Sequence, residues 1–130
     1  MLSEESVKKF EREAENESAH FIVSSLRNLA GDNLTAYAAG FDKSHWSRFL
    51  GKLRCGCHNQ HTAVAEKRLR CFYVVASLLS AAYGRAALKS WLFGKNSNLN
   101  DAAPIRLLRH TVNSDDLRLI IDAVKSFLTR

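Results

Sequence analysis

Apolar residues recur every three or four positions along most of the chain, which is the spacing of one face of an α-helix. The clearest case is residues 62–83. Leu69 and Leu79 mark a broad apolar side of this predicted helix, and Val74 and Leu78 mark a second one. With one proline and six glycines in 130 residues, the chain lacks the breakers of a turn-rich β-sandwich. The pattern therefore predicts an all-α protein.

Shorter helices are predicted on both sides of this one, with ends set by glycine, proline and capping residues. The predicted segments are 3–17, 18–30, 34–39, 43–50, 85–93, 104–109 and 114–128. Asp32 or Asn33 is expected to cap the third segment and Asp42 the fourth, while Ser114 caps the last. Gly51 is expected to end the fourth segment, which leaves 52–61 as a loop. The first segment has few apolar residues and is equally compatible with a frayed arm.

Residues 34–50, LTAYAAGFDKSHWSRFL, carry the features of a helix-turn-helix. Ala39 is small enough for the second helix to cross the first closely, and Gly40 supplies the positive φ of the turn. Trp46 and Phe49, three residues apart, are predicted to anchor the second helix. Its polar side would then face outward, where it can contact phosphates and base edges in a DNA major groove. A helical hairpin that only packs is the alternative.

Basic residues are concentrated around this motif. The chain has 19 Lys and Arg against 13 Asp and Glu, a net +6, and residues 43–70 hold seven basic residues and one acid. The seven are Lys43, Arg48, Lys52, Arg54, Lys67, Arg68 and Arg70. Such an excess attracts polyanions, because each cation that docks on a phosphate releases counterions; a solvated surface is the alternative. The candidate DNA-binding residues are Lys43, Ser44, His45, Ser47, Arg48, Lys52 and Arg54.

A group of possible metal ligands follows the motif. Cys55, Cys57, His58 and His61 form C-x-C-H-x-x-H, which has the chemistry of zinc ligands but a tighter spacing than ordinary zinc motifs. We expect a basic loop without bound metal here, and zinc is the alternative.

Catalytic chemistry is weakly represented in the chain. Cys71 and His110 are a conceivable nucleophile and base, but Cys71 lies on an apolar helix where a neutral thiol is expected. No glycine-rich phosphate loop is present in the sequence. The sequence therefore predicts a protein that is not an enzyme and needs no cofactor.

The ends and apolar runs of the chain bear on its compartment. Glu4 and Glu5 stand where a signal peptide needs a basic stretch followed by an apolar one. The longest apolar run, residues 71–83, is shorter than the roughly 20 residues of a membrane span. Three cysteines, an odd number, argue against a disulfide framework. We expect a cytoplasmic protein with free thiols and no membrane contact.

Two stretches resemble known families. AGFDKSHWSRFL, with ESA upstream, resembles the recognition region of lambda-type CII transcription activators within residues 17–50. A longer match, over residues 66–128, is to the toxin-binding domain of the Xre/MbcA/ParS antitoxins, a family with a helix-turn-helix ahead of that domain. This match is carried by KRL at 67–69, FYVVASLL and SWLFGKNSNLNDAAPIRLL. In the last signature, Trp91, Leu92, Asn96, Leu99, Pro104 and Leu108 fall at the family's positions.

The antitoxin resemblance implies a function by occlusion. Antitoxins of this kind bind a RES-domain toxin that degrades NAD, block its site and repress their own operon. The implied organisation is a DNA-binding unit over 1–61 and a helical toxin-binding and dimerisation unit over 62–130. The implied toxin-binding residues are Trp91, Asn96, Leu99, Phe127, Leu128 and Arg130.

Two further expectations concern partners. The family usually carries a glycine near the end of the last helix, where this chain has Ser126 and Phe127. We expect residues 127–130 to approach the toxin's active site. The two apolar sides of 62–83 also predict a homodimer, which would pair recognition helices on symmetric half-sites. A CII-like transcription activator is the alternative function.

Overall fold

The computed structural model describes residues 3–55 and 60–129, and these are helical apart from short connections. The helices are α1 (Glu4–Asn16), α2 (Ala19–Ala30), α3 (Asp32–Ala39), α4 (Lys43–Cys55), α5 (Gln60–Tyr83), α6 (Arg85–Phe93), α7 (Pro104–His110) and α8 (Ser114–Leu128), with one 3₁₀ turn at Ser97–Leu99. The predicted all-α class is confirmed. Within the described ranges, no helix is both long and apolar enough to cross a membrane.

Helix α5 forms the centre of the core. Every side chain from Cys71 to Leu79 is buried, so this helix is apolar and covered all round over more than two turns. Helices α1, α2, α6 and α8 of the same chain pack against it. The predicted covering of both apolar sides is confirmed, and it needs no second copy. The homodimer and the division at residues 61 and 62 stay predictions.

Helix α1 is attached by apolar and polar contacts: Ala14 is buried, and Val7 and Phe10 pack half-buried against the core. Arg70 of α5 donates through Nη1 to the carbonyl oxygens of Ala14 and Glu17, at 2.7 and 2.8 Å. Glu11 forms an ion pair with Lys125 of α8. The N-terminal segment is therefore a docked amphipathic helix rather than a frayed arm.

Helix α4 is longer than the sequence pattern predicts. It continues through Gly51 because Leu53 packs against the core and maintains the apolar spacing. A glycine inside a helix costs only about 1 kcal/mol relative to alanine, which this packing offsets. The predicted loop over 52–61 is helical up to Cys55, and α5 begins at Gln60.

Two predicted caps are also wrong. Helix α3 begins at Asp32, with Gly31 as its N-cap and no side-chain capping hydrogen bond, so neither Asp32 nor Asn33 has that role. The side chain of Asn113 caps α8 by accepting the N–H of the second helical residue at 2.8 Å. Ser114 is instead the first helical residue. In each case a neighbouring residue adopts the extended or glycine-type conformation that a cap requires.

The connection between α6 and α7 is compact. Asn96 and Ala102 form an isolated antiparallel bridge. Between them, Asn100 and Asp101 have φ values of 56° and 63°, a left-handed conformation that Asn and Asp adopt more readily than most residues. Pro104 then occupies the first position of α7, as predicted. This turn places the end of α6 close to α8.

Candidate functional site

The turn between α3 and α4 depends on Gly40. Its φ of 98° lies in the left-handed region, which glycine adopts without a Cβ penalty. Its N–H donates to the carbonyl oxygens of Ala36 and Tyr37, and the N–H of Phe41 also donates to that of Ala36. These bonds close the last turn of α3 and redirect the chain into α4. The two helices predicted around Gly40 are therefore present, with the glycine at the predicted turn.

Two aromatic side chains attach α4 to the core. Trp46 and Phe49 are 3% and 2% exposed, and their rings stack with centroids 5.5 Å apart. Phe41 from the turn packs on Phe49 with centroids 5.0 Å apart. The indole N–H of Trp46 donates to Oδ1 of Asp32 at 2.8 Å, and Nε of Arg27 lies 2.9 Å from the same oxygen. Helices α3 and α4 are thus joined by a hydrogen bond as well as by apolar packing.

The opposite side of α4 is exposed and polar. All seven predicted DNA-binding side chains lie on the surface: Lys43, Ser44, His45, Ser47, Arg48, Lys52 and Arg54. Successive helical residues are rotated by about 100°, so Ser44, Arg48 and Gly51 form the row farthest from the buried aromatic pair. Helix α4 contains no acidic residue. Its outer side therefore carries only positive charges and neutral polar groups.

Asp42 gives the start of α4 a local negative charge. Its Oδ1 accepts the backbone N–H of His45 at 2.9 Å and the hydroxyl of Ser44 at 3.0 Å, and Nδ1 of His45 lies 2.7 Å away. These bonds, the backbone N–H of His45 foremost, lower the pKa of Asp42 from 3.8 to about 2. The predicted cap at Asp42 is confirmed. Ser44 and His45 therefore help to start the helix, whatever else they contact.

Part of the predicted basic surface is used inside the fold. Arg68 donates through Nε to the carbonyl oxygen of Thr111 at 2.8 Å and through Nη1 to that of Ala39 at 3.1 Å. Arg70 likewise donates to main-chain carbonyl oxygens at the end of α1. Both guanidinium groups thus bind main-chain carbonyls. These two of the seven basic residues in 43–70 are therefore used within the fold.

A second candidate site lies between the end of α6, the connection that follows it and α8. Here a cavity of about 450 Å³ is lined by Trp91, Asn96 and Phe127, three of the residues that the antitoxin resemblance implies for toxin binding. Lys95 and Asn98 add polar groups to its wall. The indole N–H of Trp91 is buried and has no hydrogen-bond partner within the described part of the chain. Buried donors are normally paired, so this N–H is an exception among the described side chains.

The other three implied toxin-binding residues lie elsewhere. Leu99 is 7% exposed and belongs to the core beneath the connection between α6 and α7. Leu128 is half-buried against the same core. Arg130 falls outside the described residues. The structure therefore brings together Trp91, Asn96 and Phe127, while Leu99 packs within the chain.

The possible zinc ligands fall outside the side chains that the structure describes: Cys55, Cys57, His58 and His61. The described side chains include no group of three or more metal-binding residues. Cys71 is buried with its Sγ 3.5 Å from the carbonyl oxygen of Leu117. Burial raises the pKa of its thiol from 9.0 to about 12, which confirms the predicted neutral state.

Sequence reasoning missed several contacts that hold α3 in place. Arg109 of α7 donates to the carbonyl oxygen of Tyr37 at 2.9 Å, and its guanidinium carbon lies 4.4 Å from the centre of the Tyr37 ring. Arg109 and Tyr37 are 72 residues apart in the chain. Local spacing carries no signal for such a pair. The contacts of Arg68 with Ala39 and Thr111 are not predictable from local spacing either, because they also join residues far apart in the chain.

No known protein family, curated protein or solved structure matches the chain. The resemblances to antitoxins and to CII-type activators therefore rest on the residues that carry them. Function has to be argued from the two sites.

Proposed function

We propose that the chain is an antitoxin that also represses its own operon by binding operator DNA. In this proposal α3 and α4 act as a helix-turn-helix and the outer side of α4 enters the major groove. The main observation in support is that one side of α4 is buried and the other is exposed. Trp46 and Phe49 fix one side in the core, and the other side presents only cations and neutral polar groups. Base reading requires polar side chains held on a rigid element.

The size and charge of α4 support this role. Its 13 residues make a helix roughly 20 Å long, which fits lengthwise in a major groove about 12 Å wide. Ser47 and Arg48 have hydrogen-bonding groups that suit base edges. Lys43, Lys52 and Arg54 would bind the flanking phosphates. Two copies would place paired α4 helices on symmetric half-sites.

The proposed partner of the C-terminal half is a RES-domain toxin that degrades NAD, which the chain occludes without doing chemistry itself. The family resemblance supports this, together with the meeting of Trp91, Asn96 and Phe127 at one cavity.

The DNA-binding half of the proposal is tested by Arg48→Ala. If Arg48 reads a base, the substitution weakens binding by roughly 1–3 kcal/mol. The measurement is fluorescence anisotropy with a labelled duplex from the region upstream of the chain's own coding sequence, at several salt concentrations. Arg85→Ala is the matched control, because Arg85 is exposed at the start of α6, beyond the far end of the 24-residue α5. Equal affinities and equal salt dependence for both variants would remove Arg48 from the DNA interface.

The antitoxin half is tested by co-expression with the product of the adjacent gene. We expect rescue of growth and co-purification, and we expect Phe127→Ser to weaken both. A chain ended after Val124 that still folds should lose neutralisation, and full neutralisation by it would exclude a role for the tail. Operator binding without rescue or co-purification would favour the CII-like activator.

A further inference from the structure

One guanidinium group touches the ends of two helices beside the proposed DNA-binding surface. Ala39 is the last residue of α3, and Thr111 is the C-cap of α7. Arg68 donates to the carbonyl oxygens of both, at 3.1 and 2.8 Å. A cation at a helix C-terminus is favourable because the unpaired carbonyls there carry partial negative charge. Arg68 therefore caps α3 and α7 at the same time.

The turn that leads into α4 is built around this side chain. A Cβ atom added at Gly40 would lie 2.5 Å from Nη1 of Arg68, so the turn and the guanidinium are in close contact, and the φ of 98° requires glycine on its own account. The position of Nη1 is in turn fixed by its bond to Ala39. The turn and the guanidinium thus constrain each other. Without Arg68, the last carbonyl oxygen of α3 would lose this donor directly before the turn into α4.

A second arginine strengthens the same junction. Arg109 lies in the last turn of α7 and binds the carbonyl oxygen and ring of Tyr37 in α3. Desolvation, and then the nearby charge of Arg109, lower the pKa of Arg68. The two cations are held close together despite their repulsion, because the carbonyls of α3 and α7 bind them.

We propose that Arg68 is a positioning residue for DNA binding: its guanidinium bridges α3 to α7 and thereby fixes the direction in which α4 presents its outer side. This inference rests on the proposed DNA-binding function. It differs from a direct role of Arg68 on phosphate, because Nε and Nη1 are directed at main-chain carbonyls of this chain. Arg68 supplies orientation, whereas the exposed cations of α4 supply charge.

The test compares Arg68→Met and Arg68→Lys with the wild-type chain. Methionine removes the donors, and lysine keeps the charge but lacks the planar fork that reaches two carbonyls. We expect both variants to bind the upstream duplex more weakly, Arg68→Met by roughly tenfold, about the loss of one base contact. The slope of log affinity against log salt should not change, because no phosphate contact is removed. Arg85→Met is the control, since it removes the charge of an exposed residue outside the basic stretch 43–70 and should stay within about twofold of wild type.

A second measurement does not require DNA. The amide protons of Gly40 and Phe41 are bonded to the carbonyl oxygens of α3, and in Arg68→Lys they should exchange faster while those of buried α5 do not change. Arg68→Lys keeps the charge, so it serves if the methionine variant does not fold. Wild-type affinity and wild-type exchange in Arg68→Lys would overturn the inference, as would a salt slope lowered by about one in Arg68→Met. If the wild-type chain binds no duplex, the proposed function fails, and unchanged exchange would separately reject the bridge.

Discussion

Helices α4 and α5 follow each other in the chain but differ in how many of their sides are buried. From Cys71 to Leu79, α5 has no exposed side chain, whereas α4 buries Trp46 and Phe49 on one side and leaves the other to solvent. A helix covered all round can only support the fold. A helix anchored on one side has a second side free to act. The comparison therefore separates the scaffold of this protein from its candidate recognition element.

The arginines of the two helices differ in the same way. Arg68 and Arg70 of α5 bind main-chain carbonyl oxygens at the ends of other helices. Arg48 and Arg54 of α4 are exposed. Both pairs contribute equally to net charge. The difference is the burial of the helix that carries each pair. The arginines of the buried α5 bind the fold, and those of the half-exposed α4 face solvent.

The largest effect is expected from Phe72→Ala in α5. Phe72 is fully buried, and removing its ring should lower the free energy of unfolding by about 3–5 kcal/mol. Urea denaturation followed by circular dichroism measures it. Arg48→Ala, on the exposed side of α4, should change stability by less than about 0.5 kcal/mol in the same assay. Similar losses in the two variants would contradict the division into scaffold and recognition element.

Arg70→Met should have the second-largest effect on the free energy of unfolding. It removes two charge-assisted hydrogen bonds to the end of α1, and because Arg70 is partly exposed we expect a loss of about 2 kcal/mol. Hydrogen exchange should show α1 opening before α5. The matched control is Lys67→Met, which removes an exposed charge from the same helix. Unchanged protection of α1 in Arg70→Met would show that packing alone holds that helix.

Gly51→Ala should have a smaller effect, and of opposite sign. Gly51 lies within α4 on its outermost row, and a Cβ there would meet nothing within 4 Å. Alanine should therefore stabilise the chain by about 0.5–1 kcal/mol. If DNA approaches this row closely, the same substitution weakens binding in the anisotropy assay. Higher stability with unchanged affinity would place the DNA on another side of α4.

The smallest effect concerns pH at the start of α4. Because the pKa of Asp42 is lowered from 3.8 to about 2, its contribution is fully present above pH 3.8 and is lost as the pH falls through 2. The amide resonance of His45, which donates to Asp42, should follow this titration. Asp42→Asn should abolish the titration while keeping a capping oxygen. A midpoint near 3.8 in the wild-type chain would mean that the cap does not form in solution.

Sequence periodicity predicted the scaffold better than the helix ends. The two apolar sides of α5 and the turn at Gly40 were predicted correctly, because dense apolar spacing and a required positive φ each leave a strong local signal. The predicted end of α4 at Gly51 is wrong, because Leu53 continues the apolar spacing beyond the glycine and packs against the core. At Asn113 and Ser114, two good caps are adjacent, and composition does not choose between them.

The candidate sites were predictable only in part. The exposed residues of α4 follow from the anchor pair Trp46 and Phe49, since opposite sides of one helix are fixed by spacing. The contacts of Arg68 and Arg70 join residues up to 56 positions apart and depend on how the helices pack. Net charge along the sequence predicts one basic surface that contains Arg68, Arg70 and the cations of α4. Tertiary packing separates the two groups.

The burial of Cys71 makes this residue a probe of motion between helices. Its sulfur lies against the carbonyl oxygen of Leu117 in α8, and the raised pKa leaves almost no thiolate at neutral pH. Cys71 lies beneath residues of both α1 and α8, so an alkylating reagent gains access to its sulfur when either helix moves away from α5. The rate of alkylation at the peptide that contains Cys71 therefore reports how often α1 or α8 separates from the central helix.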